Sequence, residues 1–129
     1  MTLVDTSAWV EWLRRTESDV DRRLDALLGA GSAATTDPVL MEILAGGRDG
    51  ADRNRLKQLL MSCMYVPVER PRDFEAAALV YAACRAAGET IRTQLDCLIA
   101  SVAIRAGCPL LHADSDFERI ARHAPLELA

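Results

Sequence analysis

Five carboxylates stand where a solvated acid has little reason to be. Asp5 ends the short apolar run Thr2-Leu3-Val4, and Glu42 interrupts the run Val39-Leu40-Met41-Glu42-Ile43-Leu44. Asp96 lies in the first turn of the most regular apolar helical pattern in the chain, about 100° around the helix from Leu95. Asp114 and Asp116 follow directly on Pro109-Leu110-Leu111. Acids in such surroundings need compensating positive charge. The only lysine, Lys57, is near none of them, which leaves arginines or a hard cation. Clustered carboxylate oxygens with water are what Mg²⁺ or Mn²⁺ requires. An ion held that way activates water and offsets charge on a scissile phosphate, so the chemistry would be phosphoester hydrolysis. Taken one at a time, the acids have plainer readings. Asp5 reads as a turn or cap residue, Asp96 as a helix N-terminal acid favoured by the dipole, Asp114 and Asp116 as a capping turn, and Glu42 as an acid paired with an arginine.

The elements that must position these residues follow from apolar spacing. Thr2 to Val4 reads as a strand, and Trp9, Trp12 and Leu13 as the buried stripe of a helix. A second helix runs from about Ser18, with Val20, Leu24, Leu27 and Leu28 on one face and Gly29 as its stop. Ser32 to Thr36 is a candidate strand. Asp37-Pro38 then reads as N-cap and first residue of a helix that ends at Gly46-Gly47. Asp52 to Ser62 is predicted helical. Met64 to Val68 is predicted as a strand, placed at an edge because of Pro67. Asp73 to Ala87 is predicted as a helix with Phe74, Ala77, Ala78 and Tyr81 inward, and Leu95 to Ala106 as a helix with Leu95, Leu98, Ile99, Val102, Ala103 and Ala106 on one face. Pro109 to Leu111 is a short strand, Phe117 to Ala121 a short helix, and Leu126 to Leu128 an edge strand. Strands alternating with helices imply an α/β fold, a parallel sheet covered on both faces. Ligand sites in such sheets form beyond the carboxyl ends of the strands, where Asp5, Asp114 and Asp116 lie.

Composition narrows the class. The 129 residues suit one domain with one core, and half of them are hydrophobic, enough to build it. Met1-Thr2-Leu3-Val4 runs straight into Asp5 with no basic segment ahead of an apolar one, so no secretory leader is expected. No apolar stretch approaches a membrane span. Cys63, Cys84, Cys97 and Cys108 are scattered without a close pair; they read as small hydrophobes in a reducing, cytoplasmic setting. The net charge of −4 argues at first against a nucleic-acid partner. Without the five acids it becomes +1, and the remaining positive charge is almost all arginine, suited to phosphate. Arg92 is the arginine singled out for a phosphate contact. Gly29-Ala30-Gly31-Ser32-Ala33-Ala34 matches a dinucleotide pattern but precedes a strand and follows a helix, the reverse of what that mechanism needs.

Four patches, in order, resemble the PIN domain: Val4-Asp5-Thr6-Ser7-Ala8-Trp9, Asp37-Pro38-Val39-Leu40-Met41-Glu42, Ile91 to Ala100 around Asp96, and Ala113-Asp114-Ser115-Asp116-Phe117. More narrowly they resemble the VapC toxins of VapBC toxin–antitoxin systems. The resemblance implies one PIN-like domain over 1–129, with a parallel sheet of about five strands flanked by helices. It implies Asp5, Glu42, Asp96 and Asp114 as a catalytic, metal-holding quartet, with Asp116 as a fifth metal-proximal acid and Ser7 in support. It further implies Mg²⁺- or Mn²⁺-dependent hydrolysis of RNA, including structured RNA such as tRNA, a homodimer, and a VapB-type antitoxin that occludes the site. His112 departs from the hydroxyl residue usual two positions before Asp114; a hydrogen bond supporting the site is the role expected of it. His123 reads as a surface residue. The alternative is a PIN-domain nuclease of RNA processing with no antitoxin. A receiver domain lacks its late lysine here, a haloacid-dehalogenase-type phosphatase meets Ser7 where it needs Asp, and an adhesion module is broken by Trp9.

Overall fold

The computed structural model describes residues 1–129 as seven helices around a four-stranded sheet. The strands are β1 (Thr2–Val4), β2 (Ala33–Thr35), β3 (Met64–Tyr65) and β4 (Leu110–Leu111). The helices are α1 (Thr6–Leu13), α2 (Asp19–Ala30), α3 (Asp37–Ala45), α4 (Gly50–Met61), α5 (Arg72–Ala86), α6 (Gln94–Ala106) and α7 (Ser115–Ala121). The sheet is parallel throughout, in the order β3-β2-β1-β4. The chain builds outward from β1 through β2 to β3, then returns to place β4 on the other side of β1. Leu3 therefore faces Ala34 on one flank and Leu110 on the other.

Two of the strand expectations contract. Met64 to Val68 pairs only over Met64–Tyr65, because Pro67 has no N–H to continue the ladder. In place of a fifth strand there is one parallel bridge, Leu110 to Leu128, flanked by Leu110 N–H to Glu127 C=O and Ala129 N–H to Leu110 C=O, both 2.9 Å.

Helix ends show where local signals competed. Helix α2 continues through Gly29 and stops at Gly31, whose φ of 67° is the left-handed conformation a C-terminal glycine supplies cheaply. Thr36, not Asp37, holds the N-cap position of α3. The Asp37 carboxylate instead accepts from the Val68 N–H at 2.8 Å and from the Tyr65 hydroxyl, tying α3 to the segment after β3.

The core is a single cluster in which Leu3 and Val4 of β1, Trp9, Leu24, Leu60, Phe117 and Ile120 are fully buried. Trp9 packs edge-to-face on Trp12, their centroids 5.8 Å apart, so both tryptophans belong to packing. Helix α6 is buried on every side from Asp96 to Ala103, more than the one-face pattern implied, since α3, α5 and α7 all pack against it. Helix α5 is rolled away from the expected face. Asp73, Ala77 and Cys84 point inward, while Phe74 is 51% exposed and Ala78 is exposed. The cause is an ion pair: Arg105, in the last turn of α6, donates to both oxygens of Asp73 at 2.9 and 3.0 Å. The four cysteines are free, three of them buried, and no helix is long and apolar enough to cross a membrane.

Candidate active site

The parallel register brings the carboxyl ends of β1 and β4 side by side, and the acids sit just beyond them. Asp5 is the N-cap of α1, accepting at Oδ2 from the Ser7 N–H (2.9 Å) and the Ser7 hydroxyl (2.5 Å). Ser7 Oγ also accepts from the Ala113 N–H at 2.9 Å, so one hydroxyl ties the end of β1 to the loop after β4. Asp114 is the N-cap of α7, accepting at Oδ1 from the Asp116 N–H at 3.0 Å. The capping readings of Asp5 and Asp114 are thus correct, and so is their convergence: a cap uses one oxygen and leaves the carboxylate facing the cleft. Glu42 reaches in from α3, held by the Thr6 hydroxyl at 2.7 Å. Asp96 enters from the first turn of α6, whose N-cap is Thr93.

Asp5, Glu42, Asp96 and Asp114 line one polar cleft of about 330 Å³ together with Thr6, Ser7, Arg92 and Thr93. Asp116 lies behind this wall, 1% exposed. One carboxylate oxygen each from Asp96, Asp114 and Asp116 fall within 4.8 Å of one another.

The electrostatics are uneven. Asp116 is buried, which alone would raise its pKa. The N–H and guanidinium of Arg92 at Oδ2 (3.1 and 3.2 Å) and Arg119 at Oδ1 (2.7 Å) outweigh that and hold it below the ordinary value. Asp5 moves the other way: burial raises it, Glu42 adds to the shift, and the Ser7 hydrogen bonds offset only part. Asp96 is extreme. Burial, then the charges of Asp5, Asp114, Asp116 and Glu42, push its carboxyl up to about 7. Its Oδ2 is buried with no hydrogen-bond partner.

An unpaired buried carboxylate oxygen amid four other acids is costly to the bare fold. A hard divalent cation removes that cost, and a donor set of carboxylate and hydroxyl oxygens fits Mg²⁺ or Mn²⁺. The two histidines take no part in the cluster. His112 Nδ1 accepts from the Asp114 N–H at 3.2 Å and its ring leans on Phe117, so it shapes the turn that presents Asp114. His123 lies past the end of α7, half-buried and paired with Glu89, not on the open surface. Sequence reasoning missed Thr6 and Arg119. Thr6 had a signal, a hydroxyl directly after a strand-end acid; Arg119 had the i, i+3 spacing from Asp116.

The family model for the PIN domain matches residues 2–123. A VapC ribonuclease of Mycobacterium bovis, Mb1587, and ribonuclease VapC11 of Mycobacterium tuberculosis are each 44% identical over 131 residues, spanning 100% of this chain and 98% of theirs. Among solved structures, VapBC2 of Rickettsia felis bound to a promoter DNA fragment contains a chain that superposes with a TM-score of 0.76 at 18% identity, covering 99% of this chain and 96% of that one. FitAcB of Neisseria gonorrhoeae gives 0.72 at 19% identity with the same coverage. At such identities the solved structures speak for the fold alone, while the full-length relatives speak for the family. This chain belongs to the PIN-domain family and, within it, stands with the VapC ribonucleases.

Proposed function

We propose that this chain is the toxin of a type II toxin–antitoxin pair, an endoribonuclease that hydrolyses RNA phosphodiester bonds with Mg²⁺ or Mn²⁺. Asp5, Glu42, Asp96 and Asp114 would hold the ion, with Asp116 beside them. One observation carries the reading: the buried, unpartnered Oδ2 of Asp96 within a ring of acids. When bound, the ion would activate water and offset charge on the scissile phosphate. The chain's own groups prepare the site. Ser7 fixes Asp5 and joins it to the Asp114 loop. Thr6 fixes Glu42. Arg92 and Arg119 keep Asp116 ionised, and the cleft of about 330 Å³ would receive the scissile phosphodiester.

The partners follow from the same reading. Full-length identity to VapC ribonucleases favours a VapB-type antitoxin that covers the cleft over a processing nuclease that has none. Structured RNA such as tRNA is the proposed substrate class, which puts the activity in the cytoplasm. A homodimer is supported by the apolar groove that Phe74, Tyr81, Leu95 and Leu98 form between α5 and α6, continued past Met41 of α3.

The test is hydrolysis of RNA by purified protein. Cleavage should require Mg²⁺ or Mn²⁺ and disappear in Asp96→Asn and Asp5→Asn variants of unchanged circular dichroism. Undiminished cleavage in excess chelator would overturn the metal mechanism. Expression alone should arrest bacterial growth, and co-expression of an adjacent small gene should relieve it. Sequencing RNA ends after brief induction would identify the bond cut.

A further inference from the structure

Asp114 lines the cleft, yet neither of its oxygens is free. Oδ1 caps α7 through the Asp116 N–H, and Oδ2 accepts from Arg92 Nη2 at 2.5 Å. An ion that takes Oδ2 therefore competes with a guanidinium already seated there. The rest of Arg92 is fastened independently: its N–H and Nε both donate to Asp116 Oδ2, at 3.1 and 3.2 Å. Asp116 is anchored in turn by Arg119 and is buried, whereas the Arg92 side chain is 72% exposed. One end of the guanidinium is thus pinned and the other rests on the oxygen a metal would use, with solvent all around.

We propose that Arg92 is a built-in counter-cation, displaced from Asp114 by the incoming divalent ion and thereby freed, still tethered to Asp116, to receive the RNA phosphate. The exchange rests on the metal reading of the cleft given above and deepens it. Like charges a few ångströms apart repel even in water, and a divalent ion doubles that repulsion, so ion and guanidinium compete for Oδ2. Tethering at Asp116 keeps the freed group at the cleft wall, where its planar fork suits two phosphate oxygens. Metal arrival and exposure of the phosphate-binding group become one event. The metal-free protein in turn carries a cleft already part-neutralised, with less need of stray cations.

The test needs no turnover. Mn²⁺ is titrated calorimetrically into the full-length, RNA-free protein at low ionic strength, comparing wild type with Arg92→Gln, Asp96→Asn and Asp114→Asn. Arg92→Gln should bind Mn²⁺ at least tenfold more tightly, an advantage that shrinks as salt screens the guanidinium. In wild type, the Arg92 Nε–Hε resonance, assigned by its loss in Arg92→Gln, should shift on Mg²⁺ addition with the midpoint of a matched Mg²⁺ calorimetric titration. Equal or weaker Mn²⁺ binding by Arg92→Gln, or an unmoved resonance at saturating Mg²⁺, overturns the exchange while the metal site stands, provided Asp96→Asn still weakens binding. If neither Asp96→Asn nor Asp114→Asn weakens Mn²⁺ binding, the metal site itself is misplaced and the exchange falls with it.

Discussion

Helix α6 meets a buried aspartate at each of its ends, and the two could hardly be treated more differently. At its carboxyl end Arg105 serves Asp73 of α5, which is 1% exposed. Arg105 Nε spans both carboxylate oxygens, the Glu69 N–H adds a bond at 2.8 Å, and Arg105 itself also holds Glu69 Oε1 and the Pro67 carbonyl. Burial works to raise the Asp73 pKa, but these partners win and hold it below the ordinary carboxylate value. At the amino end of the same helix Asp96, 8% exposed, has an oxygen with no partner and four acids around it. Both acids stand in the first turn of a helix, so the dipole favours each alike. What separates them is whether the chain supplies the counter-charge. A buried carboxylate matched from within holds the fold together; one left unmatched is kept for something the chain does not encode.

The largest effect that would break this comparison is on activity. Asp96→Asn should lower RNA hydrolysis on the order of 10³-fold, while Asp73→Asn should leave the rate per folded molecule near wild type. Equal losses in initial-rate assays normalised to folded protein would erase the distinction.

Stability should rank them in reverse. Asp73→Asn takes from the largely buried Arg105 its two-oxygen partner and leaves it only Glu69 Oε1 and the Pro67 carbonyl, a cost of about 2 kcal/mol in denaturant melts. In chelator, Asp96→Asn should instead stabilise, on the order of 2 kcal/mol at pH 8. The pH profile gives the sign directly. Raised to about 7 in the fold, Asp96 takes up a proton on folding, so its contribution is intact below about pH 4 and is lost as pH climbs through 7. Asp73, depressed, contributes above its unfolded pKa and loses that contribution as pH falls into the acid range. Metal-free wild type should therefore lose more stability between pH 4 and 7 than Asp96→Asn does, since only the smaller contribution of Asp5 remains in the variant. Parallel profiles for the two would place the proton elsewhere. The smallest effect sharpens the same point. Replacing Asp73 and Arg105 together by Leu and Met should cost within about 1 kcal/mol, since the pair is a matched unit. A double-mutant cycle on thermal melts checks it.

The asymmetry was also an asymmetry of legibility. Asp96, Glu42 and Asp114 stood out in sequence because each lies in or directly beside an apolar run, and polar residues in such places call for an explanation. Asp73 did not. An acid in the first turn of a helix satisfies the local rule completely, and its partner Arg105 lies 32 residues away. Missing that pair misdirected the roll of α5, because Phe74 and Tyr81 look more like core than Asp73 does. Hydrophobicity reports how much a residue gains by burial, not which face a distant ion pair turns inward. Strand order was legible only as a class, parallel and helix-covered. The shortness of β3 and the single Leu110–Leu128 bridge depend on tertiary spacing that periodicity does not encode. Arg92 was noticed for phosphate and found on carboxylates, a reminder that an arginine beside an acidic cluster answers first to the charges already there.

The pairing of β1 with β4 joins residues 2–4 to residues 110–111, and it sets when the cleft exists. Asp5 is synthesised long before the strand that seats it next to Asp114. A growing chain can form β1, β2 and the helices between them, since those contacts are near in sequence, yet β1 keeps an open flank until residue 111 is out. Ser7 likewise has no Ala113 N–H to hold. A chain that stops short of β4 therefore carries β1 and its acid but no assembled cleft, and completing one strand pair creates the whole site.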